Sequence, residues 1–334
     1  MPIVNAEVFS QGIFKSIGNT PLIKLGQLFP DRNQEIFAKL EFLNPGGSHK
    51  DKTALHLMEQ AFRAGLINEE STIIETTTGN LGIGLAQVCL KLKLQLILVV
   101  DPLCCKQTIA IAKAYGATII EVDDPDSFGN CQEAKLSKIL ELLQQNPEYV
   151  WMNQFDNQHN PDSHRKCIGE ILDGLENNLD YIYIPTSSIG TLMGCQKEVA
   201  SRGTATKIIP VNTEGSSILL DSPGKVVLPG MGTSRPAEFL DTSLFDKPIQ
   251  ISDLESIIGC RQLLENEAIM AGGSTGSVVY ALRKSIHQLP KDAKVAFIVA
   301  DRGERYLDTI YNNQWVVENF TESHPYLFTN PYLV

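Results

Sequence analysis

The sequence predicts an α/β fold with largely parallel sheets. Short runs rich in β-branched residues alternate with longer stretches of helical periodicity along almost the whole chain, which is the order of strand–helix–strand units. Several polar loops follow a predicted strand and open a predicted helix, and parallel sheets bind their ligands in such loops. With 334 residues, 43% of them hydrophobic, the chain is long enough for about two domains.

The predicted strands are short apolar runs bounded by turn or charged residues. In chain order they are "IFAKLEFL", "STIIET", "LQLILVVD", "ATIIEVD", "YVWMNQF", "YIYIPT", "KIIPVNT" and "KVAFIVAD". Helical periodicity fills the intervals between them. Residues 51–66 place one set of apolar side chains on a single helix face, namely Ala54, Leu55, Met58, Ala61 and Phe62. The same pattern predicts helices over residues 80–93, 106–115, 131–144, 190–201, 254–270 and 275–288.

Charge and composition argue against several classes of function. The formal net charge is -11 and the isoelectric point is near 5.1, so nucleic acid or an anionic membrane surface is not expected as a partner. No apolar run approaches the ~20 residues of a membrane span. The N-terminus lacks the basic and apolar regions of an export signal. We therefore expect a cytoplasmic protein.

Cysteine and histidine spacing predicts no metal site. The seven cysteines contain no CxxC pair, and only Cys104 and Cys105 lie close together, which is typical of reduced, mostly buried thiols. The six histidines show no HExxH spacing. We expect neither a zinc site nor a disulfide framework.

The segment "NPGGSHKDK", residues 44–52, places a lysine at the start of a predicted helix directly after a Pro-Gly-Gly turn. A Walker loop needs a different glycine spacing, so that interpretation fails. A lysine that forms a Schiff base must be held rigidly and kept partly neutral, and the positive end of a helix disfavours its ammonium form. The segment alone leaves Lys50 as either such a lysine or an ordinary surface lysine.

Three further loops combine serine, threonine and glycine between a strand and a helix. They are "TTTGN" at residues 76–80, "PTSSIGT" at 185–191 and "GGSTGS" at 272–277. Their backbone N–H groups and hydroxyls could bind an anion, although the same residue types also cap helices. Three such loops together with Lys50 favour a binding site. No GxGxxG occurs, so a dinucleotide is not expected.

Seven segments carry the most specific signal in the chain. They are "IGNTPLIKL", "NPGGSHKDK", "TTTGNLGIGLA", "NQFDN", "SSIGTLMG", "GGSTGS" and "DRGERYLD". Their order and spacing resemble the cysteine synthase and cystathionine β-synthase family of pyridoxal-phosphate enzymes, over nearly the whole chain. This resemblance implies fold type II, which is tryptophan synthase β-like, with two three-layer αβα domains built on largely parallel twisted sheets.

The resemblance also implies a division into domains. A smaller, mobile domain would span residues 36–153 and carry Lys50 and the loop for the substrate carboxylate. Residues 1–35 and 154–334 would form the larger, cofactor-binding domain, and closure of the smaller domain would exclude water. Members of the family are usually homodimers, so we expect a homodimer that acts on small amino-acid substrates.

The cofactor implied by the resemblance is pyridoxal 5'-phosphate, and its contacts carry over position by position. Lys50 would form the Schiff base and act as general base at Cα of the substrate. Asn80 would contact the 3′ oxygen of the cofactor. Ser274 would face the ring nitrogen, where a hydroxyl rather than a carboxylate suits β-elimination. The cofactor phosphate would be held by Ser187, Ser188, Ile189, Gly190 and Thr191, of which Gly190 and Thr191 keep the family pattern. The substrate carboxylate would be held by Thr77, Thr78, Gly79 and Gln154.

One branch of the family shares further features with the chain. These are "LPGMGTSRPAEF", "AGGSTGS" and "DRGERYLDTIYNNQWV", with Ser187 where cysteine synthases usually have glycine. That branch makes N-(2-amino-2-carboxyethyl)-L-glutamate from O-phospho-L-serine and L-glutamate through an aminoacrylate intermediate, toward 2,3-diaminopropionate in siderophore and antibiotic pathways. Glutamate brings two carboxylates, so its site should supply a cation or several donors. Arg235 is our hypothesis for that cation.

Other functions stay open. Phe155 follows the "NQ" pair as it does in cysteine synthases, whereas tyrosine is expected in the diaminopropionate branch. This residue favours a cysteine synthase that uses O-acetylserine or O-phosphoserine with sulfide. A serine or threonine dehydratase is a further alternative. A homologue that binds cofactor or a partner protein without turnover is the last, and the intact Lys50, Asn80 and Ser274 argue against it.

Overall fold

A computed structural model describes residues 6–77, 79–126, 129, 131–216, 226–232 and 237–320. Its strands are β1 Leu22–Leu25, β2 Glu35–Lys39, β3 Thr72–Thr76, β4 Gln95–Val100, β5 Thr118–Glu121, β6 Val150–Trp151, β7 Tyr181–Pro185, β8 Lys207–Thr213, β9 Ile249–Ile251 and β10 Lys294–Ile298. Its helices are α1 Lys50–Arg63, α2 Asn80–Leu92, α3 Lys106–Ala114, α4 Gln132–Gln145, α5 His159–Gly174, α6 Gly190–Arg202, α7 Asp253–Glu267, α8 Gly273–Ser285 and α9 Asn313–Asn319.

The strands form two sheets. The larger sheet has six strands in the order β1-β2-β10-β7-β8-β9, and the smaller has four in the order β5-β4-β3-β6. The pairing of β1 with β2 is antiparallel, and the other strand pairs are parallel. The prediction of an α/β fold with largely parallel sheets is therefore confirmed.

Both faces of each sheet are covered by helices, because successive side chains of a strand point to opposite faces. In β10, Phe297 belongs to an apolar cluster with residues of α7 and α8. Its neighbour Ala296 belongs to a cluster with residues of α5 and α6. In β3, Ile73 packs with α1 and α2, while Ile74 packs with Ile139 of α4. Each sheet is thus the middle of three αβα layers, as predicted.

The predicted strands and helices all contain an observed element of the same type, but four elements were missed. Strands β1 and β9 have four and three residues, and their sequences, LIKL and IQI, each contain a polar residue that breaks the apolar run. Helix α5 carries Pro161 in its first turn, where no N–H bond within the helix is needed. The last, α9, is a seven-residue helix whose cap Asn312 accepts a hydrogen bond from the backbone of Trp315 at 3.1 Å.

The two sheets are built from different parts of the chain. The smaller sheet takes its strands from residues 72–151, within the predicted smaller domain. Strand β2 pairs with β10 in the larger sheet, although its residues begin that predicted domain. The division at residues 36–153 and the mobility of the smaller part stay predictions. Within the described ranges, no helix is long and apolar enough to cross a membrane.

Candidate active site

One cavity collects most of the residues that the sequence singled out. Because the strands of each sheet are mainly parallel, the loops after β3, β6 and β7 and the chain around α1 and α8 can converge on it. Its lining includes Lys50, Thr77, Gly79, Asn80, Gln154, Ser187, Ser188, Ile189, Thr191 and Ser274. Thr78 and Arg235 lie outside the described residues. The described part of the chain contains no group of three or more His, Cys, Asp or Glu side chains that could hold a metal ion.

Lys50 is the first residue of α1, and its amine reaches into the cavity. Its Nζ donates a hydrogen bond to Oγ of Ser188 at 3.3 Å. Burial lowers the pKa of Lys50 to about 8, although the negative charge of Glu75 opposes this shift. The neutral form that a nucleophilic or basic lysine needs is therefore much more accessible than in a lysine exposed to water.

The loop before Lys50 is held on several sides. The backbone N–H of Gly46 donates to the carboxylate of Asp51 at 2.5 Å, and Arg305 donates to the carbonyl of Gly46. A Cβ on Gly46 would lie 2.5 Å from an Asp51 oxygen, so only glycine fits this approach. The backbone N–H of His49 donates to the carbonyl of Ala300 at 2.8 Å. These bonds position Lys50 against the end of the larger sheet.

Asn80, the first residue of α2, has both ends of its amide fixed. Its Nδ2 donates to Asp301 at 2.8 Å, and its Oδ1 accepts from Arg305. Tyr306 donates to the same Asp301 oxygen at 2.5 Å. Asp301 and Tyr306 also line the cavity. Asp301, Arg305 and Tyr306 all belong to the "DRGERYLD" segment, to which the sequence analysis gave no role at the site. They are so distant from Asn80 in the chain that no local pattern predicts the contact.

The loop predicted to hold the phosphate keeps a glycine-like backbone despite its sequence. Ile189 has a φ of 65°, a left-handed conformation that is unfavourable for a β-branched residue. A Cβ on Gly190 would lie 2.2 Å from Asn160, so this position accepts only glycine. The loop leads directly into α6, whose first N–H groups have no partner within the helix. It therefore offers the backbone donors that a phosphate needs.

The missed helix α5 contributes to this loop. Nδ1 of His164 lies 3.4 Å from the hydroxyl of Thr191, and Nε2 lies 3.3 Å from the hydroxyl of Thr53 on α1. Burial and the charge of Lys50 hold the pKa of His164 well below its ordinary value, so the ring is neutral. His164 thus joins the helix of Lys50 to the phosphate loop, a role that the sequence did not reveal.

The predicted carboxylate clamp forms where β3 and β6 end side by side. The hydroxyl of Thr77 accepts from the backbone N–H of Gly79 at 3.0 Å. Nε2 of Gln154 lies 3.5 Å from the carbonyl of Thr76. The loop after β3 and the residues after β6 therefore meet at one edge of the smaller sheet, beside Asn80. Their contact with a substrate stays a prediction.

The residues present fit pyridoxal phosphate. Lys50 supplies an amine of lowered pKa for its aldehyde, and the start of α6 supplies donors for its phosphate. Asn80 and Ser274 supply polar groups at the cavity wall for the ring substituents. The Cβ that Gly190 lacks would meet Asn160 of α5, so this glycine lets α5 pack closely against the start of α6. The amine, the backbone donors and the polar groups of the wall are each of a kind that this cofactor can use.

Comparison with known proteins agrees with this chemistry. Residues 13–301 match the profile of the family described as pyridoxal-phosphate dependent enzymes. A hydrogen sulfide-producing enzyme from Fusobacterium nucleatum is 34% identical, with a TM-score of 0.83 over 89% of this chain and 99% of that chain. An O-acetylserine dependent cystathionine β-synthase from Helicobacter pylori is 32% identical, with a TM-score of 0.81 over 92% and 98%. An O-ureido-L-serine synthase is 25% identical, with a TM-score of 0.82 over 95% and 98%.

Proposed function

This chain belongs to the family of pyridoxal-phosphate dependent enzymes, and from that membership we propose that it catalyses a β-replacement on an O-substituted L-serine. The proposed reaction joins O-phospho-L-serine and L-glutamate to give N-(2-amino-2-carboxyethyl)-L-glutamate and phosphate. The observation that carries the proposal is the meeting of Lys50, Asn80 and the carboxylate clamp in one cavity. The names of the similar O-acetylserine dependent and O-ureido-L-serine enzymes support substitution at a serine oxygen.

Different residues of the cavity have different roles in the proposed reaction. Bound pyridoxal phosphate supplies an electron sink that makes the Cα proton of an amino acid acidic. Thr77, Thr78, Gly79 and Gln154 hold the α-carboxylate and so turn the Cα proton toward Lys50. The Lys50 amine removes that proton as general base and later returns it to Cα. Between these steps phosphate leaves Cβ with the electron pair of the C–O bond. The neutral amine of glutamate then forms the new bond to Cβ and releases one proton to solvent.

The choice of glutamate depends on how its second carboxylate is bound. Among the described residues that line the cavity, the lysines are Lys50 and Lys135. Lys135 forms a buried ion pair with Asp101, so its charge is already balanced. If a cation rather than several donors binds this carboxylate, it comes from elsewhere in the chain, and Arg235 in the "GTSRP" segment remains our hypothesis for it.

Replacing Arg235 with alanine is expected to raise the Michaelis constant for glutamate by roughly tenfold, because a charge-assisted pair to a carboxylate would be lost. The Michaelis constant for O-phospho-L-serine should stay the same, since the α-carboxylate clamp is separate. Steady-state kinetics with each substrate varied in turn measures both constants. An unchanged constant for glutamate would exclude Arg235 from its site.

A cysteine synthase is the second candidate. Phe155 lines the cavity and offers an apolar ring rather than the hydroxyl of a tyrosine. The similar hydrogen sulfide-producing enzyme also favours sulfur chemistry. Sulfide needs no cation of its own, so the arrangement of Lys50, Asn80 and the clamp would serve it equally. Under either reaction we expect a homodimer.

A stepwise absorbance experiment separates the two candidates. The yellow holoenzyme is mixed with O-phospho-L-serine, and glutamate or sulfide is then added to separate samples while released phosphate is assayed. We expect O-phospho-L-serine to produce a long-lived change in the cofactor spectrum that glutamate reverses. Reversal by sulfide and not by glutamate would establish a cysteine synthase instead. A protein without cofactor absorbance would point to the non-catalytic homologue.

A further inference from the structure

Glu75 is a buried carboxylate behind the wall of the cavity. It lies in β3, one residue before Thr76, and its side chain is fully buried. Oε1 accepts hydrogen bonds from the backbone N–H of Thr76 at 2.7 Å and from Nε1 of Trp151 at 3.0 Å. Oε2 accepts from the backbone N–H of Gln154 at 3.2 Å. One side chain thus contacts both segments that form the predicted carboxylate clamp.

The backbone of Gln154 lies beyond the paired residues of β3 and β6, and only its side-chain Nε2 approaches the backbone of the sheet, at 3.5 Å from the carbonyl of Thr76. Strand β6 has only two residues, and its last bond to β3 runs from the N–H of Met152 to the carbonyl of Ile74 at 3.3 Å. The next residue, Asn153, has a φ of 47°, which turns the chain away from the strand direction. Gln154 is then fixed by Glu75 at its N–H and by Nδ2 of Asn160 at its carbonyl, at 2.6 Å.

A packing role does not explain a carboxylate at this position. A buried charge is costly unless it is well hydrogen-bonded, and an apolar residue would fill the same space. The charge of Glu75 also raises the pKa of Lys50, which opposes the neutral amine. Burial raises the pKa of Glu75 to about 7, while its bonds from Trp151, Thr76 and Gln154 lower it. Because the charge of Glu75 works against the neutral Lys50 amine, we look for the role of this carboxylate in the hydrogen bonds that it accepts.

We propose that Glu75 is the positioning residue of the substrate-carboxylate clamp, holding the loop after β3 and Gln154 in register with each other. This inference rests on the proposed amino-acid substrate. Glu75 does not contact the substrate; it acts through the backbone of Thr76 and Gln154. The ligand group that it serves is any α-carboxylate, whatever the leaving group at Cβ.

The test replaces Glu75 with glutamine in the holoenzyme. The glutamine oxygen can keep the bonds from Thr76 and Trp151, but its NH2 group then faces the N–H of Gln154, donor against donor. We expect the affinity for O-phospho-L-serine, titrated through the cofactor absorbance, to fall by roughly tenfold. O-Phosphoethanolamine is the same molecule without the α-carboxylate, and its affinity should change by less than about twofold.

Two further variants, Trp151→Phe and Glu75→Asp, serve as controls for the effect of E75Q. Trp151→Phe removes one donor from Oε1 and leaves both backbone bonds, so its loss of affinity should be below about threefold. If the E75Q protein does not fold, Glu75→Asp replaces it, since this variant keeps the charge but draws the carboxylate away from Gln154. Equal weakening of O-phospho-L-serine and O-phosphoethanolamine would indicate a general structural role and overturn the proposal. So would unchanged affinity for both.

The pair L-alanine and ethylamine separates this inference from the proposed function. These ligands differ in the α-carboxylate and carry no leaving group. If the unmodified enzyme responds to L-alanine and not to O-phospho-L-serine, the proposed substrate fails. The effect of E75Q is then read from L-alanine against ethylamine, with the same expected loss for the amino acid alone.

Discussion

Replacing Lys50 with alanine is expected to lower turnover by roughly 10³-fold or more, because one change removes both the Schiff-base amine and the general base. The structure supports this expectation through the amine's place in the cavity, 3.3 Å from Ser188, and through its pKa, lowered by burial to about 8. The absorbance of the covalently bound cofactor should disappear as well, even where the variant still retains cofactor without a covalent bond.

The measurement combines steady-state kinetics with borohydride reduction and mass spectrometry. The unmodified enzyme should give a cofactor adduct on the peptide that contains Lys50, and the variant should give none. Lys106 provides the matched control, because it is also the first residue of a helix, α3, but is exposed and absent from the cavity lining. Lys106→Ala should retain activity. Full activity in Lys50→Ala would refute the assignment of this lysine.

Local patterns predicted most of the fold. The apolar runs located the strands, and the polar loops beside them contain or precede Lys50, Asn80 and Ser274. The roles of these three residues came from the family resemblance and stay predictions. Partners distant in the chain could not be predicted in this way. Asp301 lies 221 positions from the Asn80 amide that it accepts from. His164 lies in α5, whose first turn contains Pro161, a residue that indicates a turn when only the sequence is considered.

Glu75 illustrates the same limit. In the sequence it ends an apolar run, "STIIET", and looks like the charged residue that often follows a strand. Its importance depends on a contact with Gln154, 79 positions away, and on the shortness of β6. The pairing of β3 with β6 brings Glu75 and Gln154 within hydrogen-bond distance. Register between strands is a tertiary property that the periodicity of either strand alone does not determine.

Replacing Lys52 with methionine is expected to destabilise the protein by about 3–5 kcal/mol, because it leaves a buried carboxylate without its cation. Nζ of Lys52 lies 2.8 Å from Glu41 and 3.4 Å from Glu170. Glu41 is fully buried and Lys52 is 6% exposed. Glu41 also accepts from the hydroxyl of Thr20 at 2.6 Å, so the pair ties the N-terminal segment to the helix of Lys50.

The shift in unfolding midpoint in urea measures this effect. Lys24→Met is the matched control, because Lys24 pairs with Glu35 at the surface, where the lysine side chain is 57% exposed. Ion pairs of that kind contribute no more than ~1 kcal/mol. A Lys52 variant as stable as this control would show that the buried pair contributes nothing to folding.

The stability that Glu41 and Lys52 contribute should depend on pH. Burial alone would raise the pKa of Glu41, but Lys52 and the hydrogen bonds from Thr20 and Asn44 outweigh it, so the pKa is lowered. The stability contributed by this carboxylate is therefore present above its unfolded pKa and is lost as pH falls through the lowered folded value. In Lys52→Met only the hydrogen bonds from Thr20 and Asn44 still oppose the effect of burial, so the folded pKa of Glu41 should rise. The difference in free energy of unfolding between Lys52→Met and the unmodified protein should then become smaller at acid pH.

Removing the second charge should recover much of the loss. In Glu41→Gln combined with Lys52→Met no uncompensated charge remains, and buried ion pairs replaced as a unit cost far less than pairs broken on one side. We therefore expect the double variant to be more stable than Lys52→Met alone. Its loss of unfolding free energy relative to the unmodified protein should also depend less on pH than that of Lys52→Met. A double variant whose loss equalled the sum of the two single losses would mean that Glu41 and Lys52 act independently. In that case the link between Thr20 and α1 would depend on the ion pair between Glu170 and Lys39, whose carboxylate oxygen and Nζ lie 2.5 Å apart.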